Sequence, residues 1–394
     1  MKILLVHNRY QQPGGEDGVF AQEKQMLESK GHRVLTYERT NSEMIGASPF
    51  QKLNMPKNMI WAEDAYRQSL ALLREQRPDI VHVHNTFFRI SPSIFAACRE
   101  VGVPTVKTLH NFRLMCPAAT FFRNGKVCEE CQDSSLWRSV RHACYRQSFG
   151  ATAAVAAMLT VHKKLGTWQD GVTSYIALTD FARRKFAEGG LPPKKITVKP
   201  NFVFPDPGEK NETGEGAVFV GRLSPEKGVK TLLRAWRQLR TPVPLRIFGD
   251  GPSRHELERT AFELNLPHVS FMGHTSRSDV QCAIQGARLL ILPSECYENF
   301  PLTIVEAFSC GTPVVCSRLG AMQELVMDGS TGLHFAAGNA EDLAERLSWA
   351  WDHTTQVREM GRAARKEFEQ KYTADVNYAH LMSIYERAMS VTTD

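Results

Sequence analysis

The sequence contains no apolar run approaching the ~20 residues needed to cross a bilayer. The longest uncharged stretch near its middle, Gln147 to Val161, is Ala-rich and too short. No export signal opens it. The apolar run Ile3-Leu4-Leu5-Val6 gives way at once to His7 and Asn8, and reads as a buried first strand. Low-complexity tracts and repeats at solenoid spacing are missing. Cysteine is present nine times in 394 residues, which without an export signal does not make a disulfide framework. These absences exclude a spanning membrane protein, a fibrous repeat and a stapled secreted domain. They lead to the expectation of a cytoplasmic protein, either free or peripheral at the cytoplasmic face of a membrane.

What is present is an ordinary globular composition, 42% hydrophobic and 23% charged. At 394 residues two domains are expected, because single cores stop growing well before that length. Strand-like and helix-like segments alternate. Lys2–Val6 is read as a strand, about Asp17 to Lys30 as a helix stopped by Gly31, and His32–Tyr37 as the second strand. Ile80–His84 and Thr105–Leu109 follow as buried strands, with a helix from Ser91-Pro92 to Gly102 between them. The stretch 201–216, rich in Pro, Gly and charge, is the candidate linker. A second series then begins, with strands at Ala217–Val220, Leu245–Phe248, Val269–Met272, Leu289–Leu292 and Pro313–Cys316. Two such series predict two doubly wound α/β domains. They span 1–200, with a Cys-rich insertion at about 115–145, and 201–373. The tail 374–394 has helical spacing and is expected to cross back over the first domain.

Four places carry chemistry. Glu298 and Glu306 stand eight positions apart across a strand-to-helix turn, with Pro301 at the first helical position and Gly311 at the stop. A helix start there offers free N–H groups to phosphate, and the carboxylates can accept hydroxyls of a sugar and a ribose. Two solvated surface glutamates are the plain alternative. Gly221-Arg222-Leu223-Ser224-Pro225-Glu226-Lys227-Gly228 directly follows a strand. Its Arg222 and Lys227 can neutralise a diphosphate leaving group without a metal ion, unless this is simply a charged loop. Pro13-Gly14-Gly15 follows the first strand but lacks the full dinucleotide fingerprint, so a plain turn fits as well. His110, at a strand end, could face a sugar hydroxyl; a structural histidine is the default.

These motifs resemble the large GT4-type family of retaining glycosyltransferases, which have the GT-B architecture of two Rossmann-like domains facing a cleft. Glu298 and Glu306 match its E-x7-E motif, and Gly221-Arg222-Leu223 with Lys227-Gly228 its G-R-L…K-G motif. Gly249-Asp250-Gly251-Pro252 and Phe271-Met272-Gly273-His274 match in order and spacing; Gly14-Gly15 and Leu109-His110-Asn111 match more loosely. The resemblance implies a nucleotide-sugar donor of UDP or GDP type bound by the second domain. Arg222 and Lys227 would hold its diphosphate, Glu306 its ribose and Glu298 the transferred sugar. Asn299, Phe300, Pro301 and Leu302 would line the site, with Gly15 near the diphosphate and His110 near the sugar. It also implies front-face attack with no protein nucleophile and no catalytic cofactor. Phosphorylases and non-hydrolysing epimerases share the architecture, but no pyridoxal-phosphate lysine or phosphate-pocket motif is visible.

The departure from that pattern is a cysteine segment, Cys116, Cys128, Cys131 and Cys144, spaced C-x11-C-x2-C-x12-C. Four thiolates with one C-x2-C suit a structural Zn²⁺, with His142 as a substitute ligand. A redox pair or free thiols are the rival readings. Cys98, Cys282, Cys296, Cys310 and Cys316 look like small core residues. Net charge is +11 over 1–200 and −5 over 201–394. A basic first half suggests an anionic partner, read as a lipid-linked saccharide acceptor at an anionic membrane surface. Arg138, Arg141, Arg146, Lys163 and Lys164 flank Gln147–Val161, which is either an interfacial helix or a buried one. A zinc-stapled nucleic-acid binder is disfavoured by the lone C-x2-C and the lack of aromatic-basic stacking motifs, so no nucleic-acid partner is expected.

Overall fold

The computed structural model describes residues 1–11, 14–44, 48–209 and 214–391. Pro13 and the linker residues 210–213 lie outside the described residues. The chain divides into two compact units: Met1–Phe121 with Glu129–Asn201 and Asn377–Asp394, and Phe202–Val376 with Phe122–Cys128.

The strands of the first unit are β1 (Lys2–Arg9), β2 (Arg33–Thr40), β3 (Ile80–Asn85) and β4 (Thr105–Thr108). A small antiparallel hairpin, β5 (Phe122–Arg123) and β6 (Lys126–Val127), comes next in the chain and clusters with the second unit. Strands β7 (Ser174–Ala177) and β8 (Ile196–Val198) complete the first sheet, ordered β2-β1-β3-β4-β7-β8 and parallel throughout. The runs that feed it are almost continuously buried, with Ile3, Leu4, Leu5, Val6, Ile80, Val81 and Val83 all at 0% exposure. That is the pattern of parallel strands covered on both faces.

The second unit contains β9 (Ala217–Val220), β10 (Leu245–Phe248), β11 (Val269–Gly273), β12 (Leu289–Leu292), β13 (Val314–Ser317) and β14 (Gly332–Phe335). Their order is β11-β10-β9-β12-β13-β14, again parallel. The chain starts in the middle, runs outward one way, then returns to the middle and runs the other. The reversal falls between β9 and β12, where such sheets bind ligands beyond the strand ends.

Several boundaries differ from the sequence reading. The first helix is Gly15–Ser29, two residues earlier than expected, because Asp17 Oδ2 accepts the Gly14 N–H at 2.7 Å and fixes Gly14 as its cap. Leu302, not Pro301, begins the helix after β12; Pro301 is the cap, with extended backbone. The Ala374–Ser390 helix matches the predicted tail, and from Asn377 onward it packs with the first unit. Tyr385 Oη meets His82 Nδ1 at 2.8 Å and Asn377 Oδ1 accepts from Lys199 Nζ at 2.9 Å. Cys282, expected in a core, is exposed on the Arg277–Gln285 helix.

The stretch Gln147–Val161 lies within the Phe149–Lys164 helix, whose Ala154, Val155, Met158 and Leu159 join a cluster with Met59, Phe87 and Phe88. His162 Nε2 bonds the Ile60 carbonyl at 2.8 Å. This is a core helix rather than an interfacial one, because its alanines allow close packing on the Pro49–Ile60 helix. Exposed apolar groups are confined to its ends, Phe149 and Leu165. No described helix is long and apolar enough to cross a membrane.

Candidate active site

The loop after β9 is shaped by three close backbone approaches. Gly249 (φ +123°) lies so near Gly221 that an added Cβ would sit 1.9 Å from its carbonyl oxygen. At Gly251 the same atom would come within 2.4 Å of the Leu223 oxygen. Gly228, at φ +65°, would place it 1.9 Å from the Pro293 oxygen. Only glycine satisfies these positions. The loops after β9, β10 and β12 are thereby stacked, and Leu223 N–H donates to Asp250 O at 3.0 Å while Glu295 N–H donates to Glu226 O at 2.8 Å.

This stacking brings Lys227 and Glu298 together. Lys227 Nζ donates to Glu298 Oε1 at 2.6 Å, and Ser294 Oγ donates to the same oxygen at 2.6 Å. Burial by itself would lower the lysine, but the Glu298 charge outweighs it and pushes Lys227 up to about 12. Burial would likewise raise Glu298; the charge and hydrogen bond of Lys227, helped by Ser294, hold it below the ordinary carboxylate value. Both groups are therefore charged at neutral pH. Arg222 is exposed, and its guanidinium has no ion pair among the described residues.

Glu306 sits inside the Leu302–Ser309 helix with its side chain 14% exposed. Burial raises its carboxyl, only partly offset by Arg277, whose nearest nitrogen is 4.0 Å away. Asn299, Phe300 and Pro301 are buried and Leu302 is half-buried. The first N–H groups of that helix have no intrahelical partner by construction, which suits an anion. The sequence reading missed Ser294 and Arg277, since a lone serine or arginine carries no motif.

In the first unit, an added Cβ at Gly15 would meet no described atom within 4 Å, so packing does not demand glycine there. Asp17 ties this turn to β1, bonding His7 Nε2 at 2.8 Å. His110 lies two residues beyond β4, and its Nε2 meets His84 Nδ1 at 2.9 Å with the rings stacked. Burial, then the neighbouring His82, lowers His84 to about 3, against the opposing pull of Glu23. His110 is held well below the usual histidine value by burial and by His84. Glu23, His82 and Lys199 gave no sequence signal at all, yet form a fully buried group behind these rings.

Of the four cysteines of the proposed zinc site, Cys116 is buried, Cys128, Cys131 and Cys144 are half-buried, and none is in a disulfide. Among the described residues, the sulfurs of no three of Cys116, Cys128, Cys131 and Cys144 lie within 4.8 Å of one another. The segment is instead held by short turns, Cys116 N–H to Phe112 O at 2.9 Å and Cys144 N–H to Ser139 O at 3.1 Å, and by a Lys185–Glu129 ion pair at 3.0 Å. His142 faces Glu130 at 3.7 Å.

Two family profiles match the chain in succession: "Glycosyltransferase Family 4" over residues 14–206 and "Glycosyl transferases group 1" over residues 203–367. An uncharacterized glycosyltransferase of Methanocaldococcus jannaschii is 24% identical over 92% of this chain and 89% of its own length. A second from the same organism is 28% identical over 43% of this chain and 47% of its own, so the chain spans about half of that relative. A crystal structure of HepE from Anabaena, in complex with UDP and glucose, superposes with a TM-score of 0.70 at 18% identity, covering 98% of this chain and all of that one. That likeness is one of fold, the GT-B architecture of two parallel-sheet α/β domains.

Proposed function

The chain belongs to the group 1 glycosyltransferases of family 4, and we propose that it transfers a hexosyl group from a UDP- or GDP-sugar to a saccharide acceptor with retention of configuration and without a catalytic metal. The observation that carries this reading is the Lys227–Glu298–Ser294 group at the reversal point of the second sheet, with Arg222 exposed on the same loop as Lys227. A lysine that keeps its proton at any physiological pH, and an exposed arginine with no ion pair among the described residues, supply the charge that a departing nucleoside diphosphate requires. An ionised Glu298, with Oε2 unpartnered among the described residues, accepts hydroxyls of the sugar. Glu306 accepts hydroxyls of the ribose. In front-face attack the leaving phosphate takes the acceptor proton, so no base from the protein is needed. The resemblance of fold to a protein crystallised with UDP and glucose favours UDP-glucose as the first donor to try.

The acceptor is proposed to be lipid-linked and met at an anionic membrane surface by the first unit, in assembly of a surface polysaccharide or glycolipid. Support comes from the +11 charge of residues 1–200 and from exposed Trp137 and Phe149 close in sequence to Arg138, Arg141 and Arg146. Each cation near such a surface contributes ~1 kcal/mol, enough together for reversible, salt-sensitive binding. Co-sedimentation with anionic liposomes that falls with salt and with Arg138→Gln/Arg141→Gln is the expected result. Transfer to a free soluble sugar with no liposome binding at low salt would overturn it. For the donor, purified protein is incubated with a panel of nucleotide-sugars and products are read by mass. Turnover of one or more, reduced ~10²-fold by Arg222→Ala or Lys227→Ala, is expected; near-normal turnover in both variants would sink the assignment.

A further inference from the structure

Behind the end of β4 lies a line of side chains that the transfer chemistry does not itself use. Glu23, on the Gly15–Ser29 helix, is 1% exposed. Its Oε1 meets His82 Nδ1 at 2.8 Å and His84 Nε2 at 3.1 Å, and its Oε2 meets Lys199 Nζ at 3.3 Å. His84 Nδ1 in turn meets His110 Nε2 at 2.9 Å. We propose that Glu23 and His84 are positioning residues that fix the tautomer of His110, so that it presents a bare Nδ1 as a hydrogen-bond acceptor to a hydroxyl of the transferred sugar. The inference rests on the reading that His110 faces that sugar.

The argument is one of donors and acceptors. Although burial opposes it, Glu23 is held well below the ordinary carboxyl value by His82 first and then by Lys199. An ionised carboxylate only accepts, so His84 Nε2 carries the hydrogen. His84 is neutral, so its Nδ1 is a lone pair. That lone pair can only accept from His110 Nε2, which therefore bears the proton, and neutral His110 is left with Nδ1 bare. His110 Nδ1 has no partner among the described residues. Glu23, His82 and His84 also cluster closely enough to suggest a metal. Lys199 already stands at Oε2, however, and His82 Nε2 is taken by Thr108 Oγ1 at 2.7 Å, so the group is satisfied by protein partners.

The test is ¹⁵N–¹H long-range spectroscopy on the full chain at pH 7, with His110→Gln for assignment. The expected spectrum shows His110 protonated on Nε2 alone. His84→Phe, which removes the acceptor, should abolish the single tautomer and cut kcat roughly tenfold, the loss of about one hydrogen bond to the transition state. The acceptor KM should be unmoved. His84→Gln, whose amide keeps one donor and one acceptor, should restore both the tautomer and most of kcat. Glu23→Gln tests the far end, provided its circular dichroism matches wild type. An Nδ1-protonated His110 in the wild type, or a folded His84→Phe variant with tautomer and kcat unchanged, would overturn the proposal. Because the spectrum needs no substrate, the expected tautomer in a protein that turns over no nucleotide-sugar would reject the transfer reading alone.

Discussion

At the scale of single residues, the free protein has Glu298 standing where part of the donor's charge would go. Lys227 is neutralised by that carboxylate at 2.6 Å, and a bound diphosphate would have to share it. Glu298→Gln should therefore leave the affinity for the free nucleoside diphosphate unchanged or tighter, while turnover falls by ~10²-fold. Calorimetry beside kinetics checks this, and a parallel loss of both would mean that Glu298 mainly organises the loop. Glu306 gives a pH signature. Its carboxyl is raised above the ordinary 4.5 by burial. Its ionised form is complete well above that raised value and is lost as pH falls through it. Donor affinity should then weaken on acidification before Glu298 titrates, and Glu306→Gln should flatten that limb. An unchanged limb in the variant would assign the effect elsewhere.

At the scale of elements, the loop stacking of the second unit was partly legible. Gly221, Gly228, Gly249 and Gly251 stood out in sequence, and strand–loop–helix order placed Arg222 and Lys227 at a strand end. Which backbone each glycine touches was not legible, since the contacts join segments tens of residues apart. Gly228→Ala forces a left-handed residue, costing ~1–2 kcal/mol, and drives a Cβ into the Pro293 carbonyl. It should lower Tm and weaken donor binding together; a stable variant with normal binding would show that the loop tolerates displacement. The cysteine segment shows the converse. Thiol spacing is a necessary property of a zinc site, but whether four sulfurs converge depends on turns such as Phe112–Leu114 and Arg138–Arg141 that spacing does not encode. The Phe149–Lys164 helix makes a similar point: an uncharged Ala-rich run fits burial and a membrane surface equally until its neighbours are known.

At the scale of the molecule, the parallel, doubly wound character of both sheets follows from alternating strands and helices, and the polar, Pro-rich stretch near residue 201 lies where the two units meet in sequence. The buried Glu23–His82–His84–Lys199 group was not, because its members come from separate elements, each unremarkable alone. It makes the first unit acid-sensitive. His84 folds neutral with a value near 3, against 6.5 when free. Folding stability is complete above 6.5 and declines as pH falls from there toward 3, by at most ~1.4 kcal/mol per pH unit for this group. Burial lowers His110 and His162 in the same sense. Glu23, lowered below 4.5, adds its loss only under stronger acid. The second unit has His334 with a similar but less buried shift. Hydrogen exchange at pH 7.5 and pH 5 should show protection lost mainly from residues of the first unit; earlier opening of the second would contradict this.

The central claim is that protein cations and the departing phosphate, rather than a metal or a protein nucleophile, drive transfer with retention. The most direct measurement is the anomeric configuration of the product. An α-linked nucleotide-sugar that turns over is supplied with acceptor and excess chelator, and the new linkage is read from its anomeric proton. The account predicts an α-linked product formed at an undiminished rate. A β-linked product, or a rate abolished by chelator and restored by a divalent cation, would contradict it.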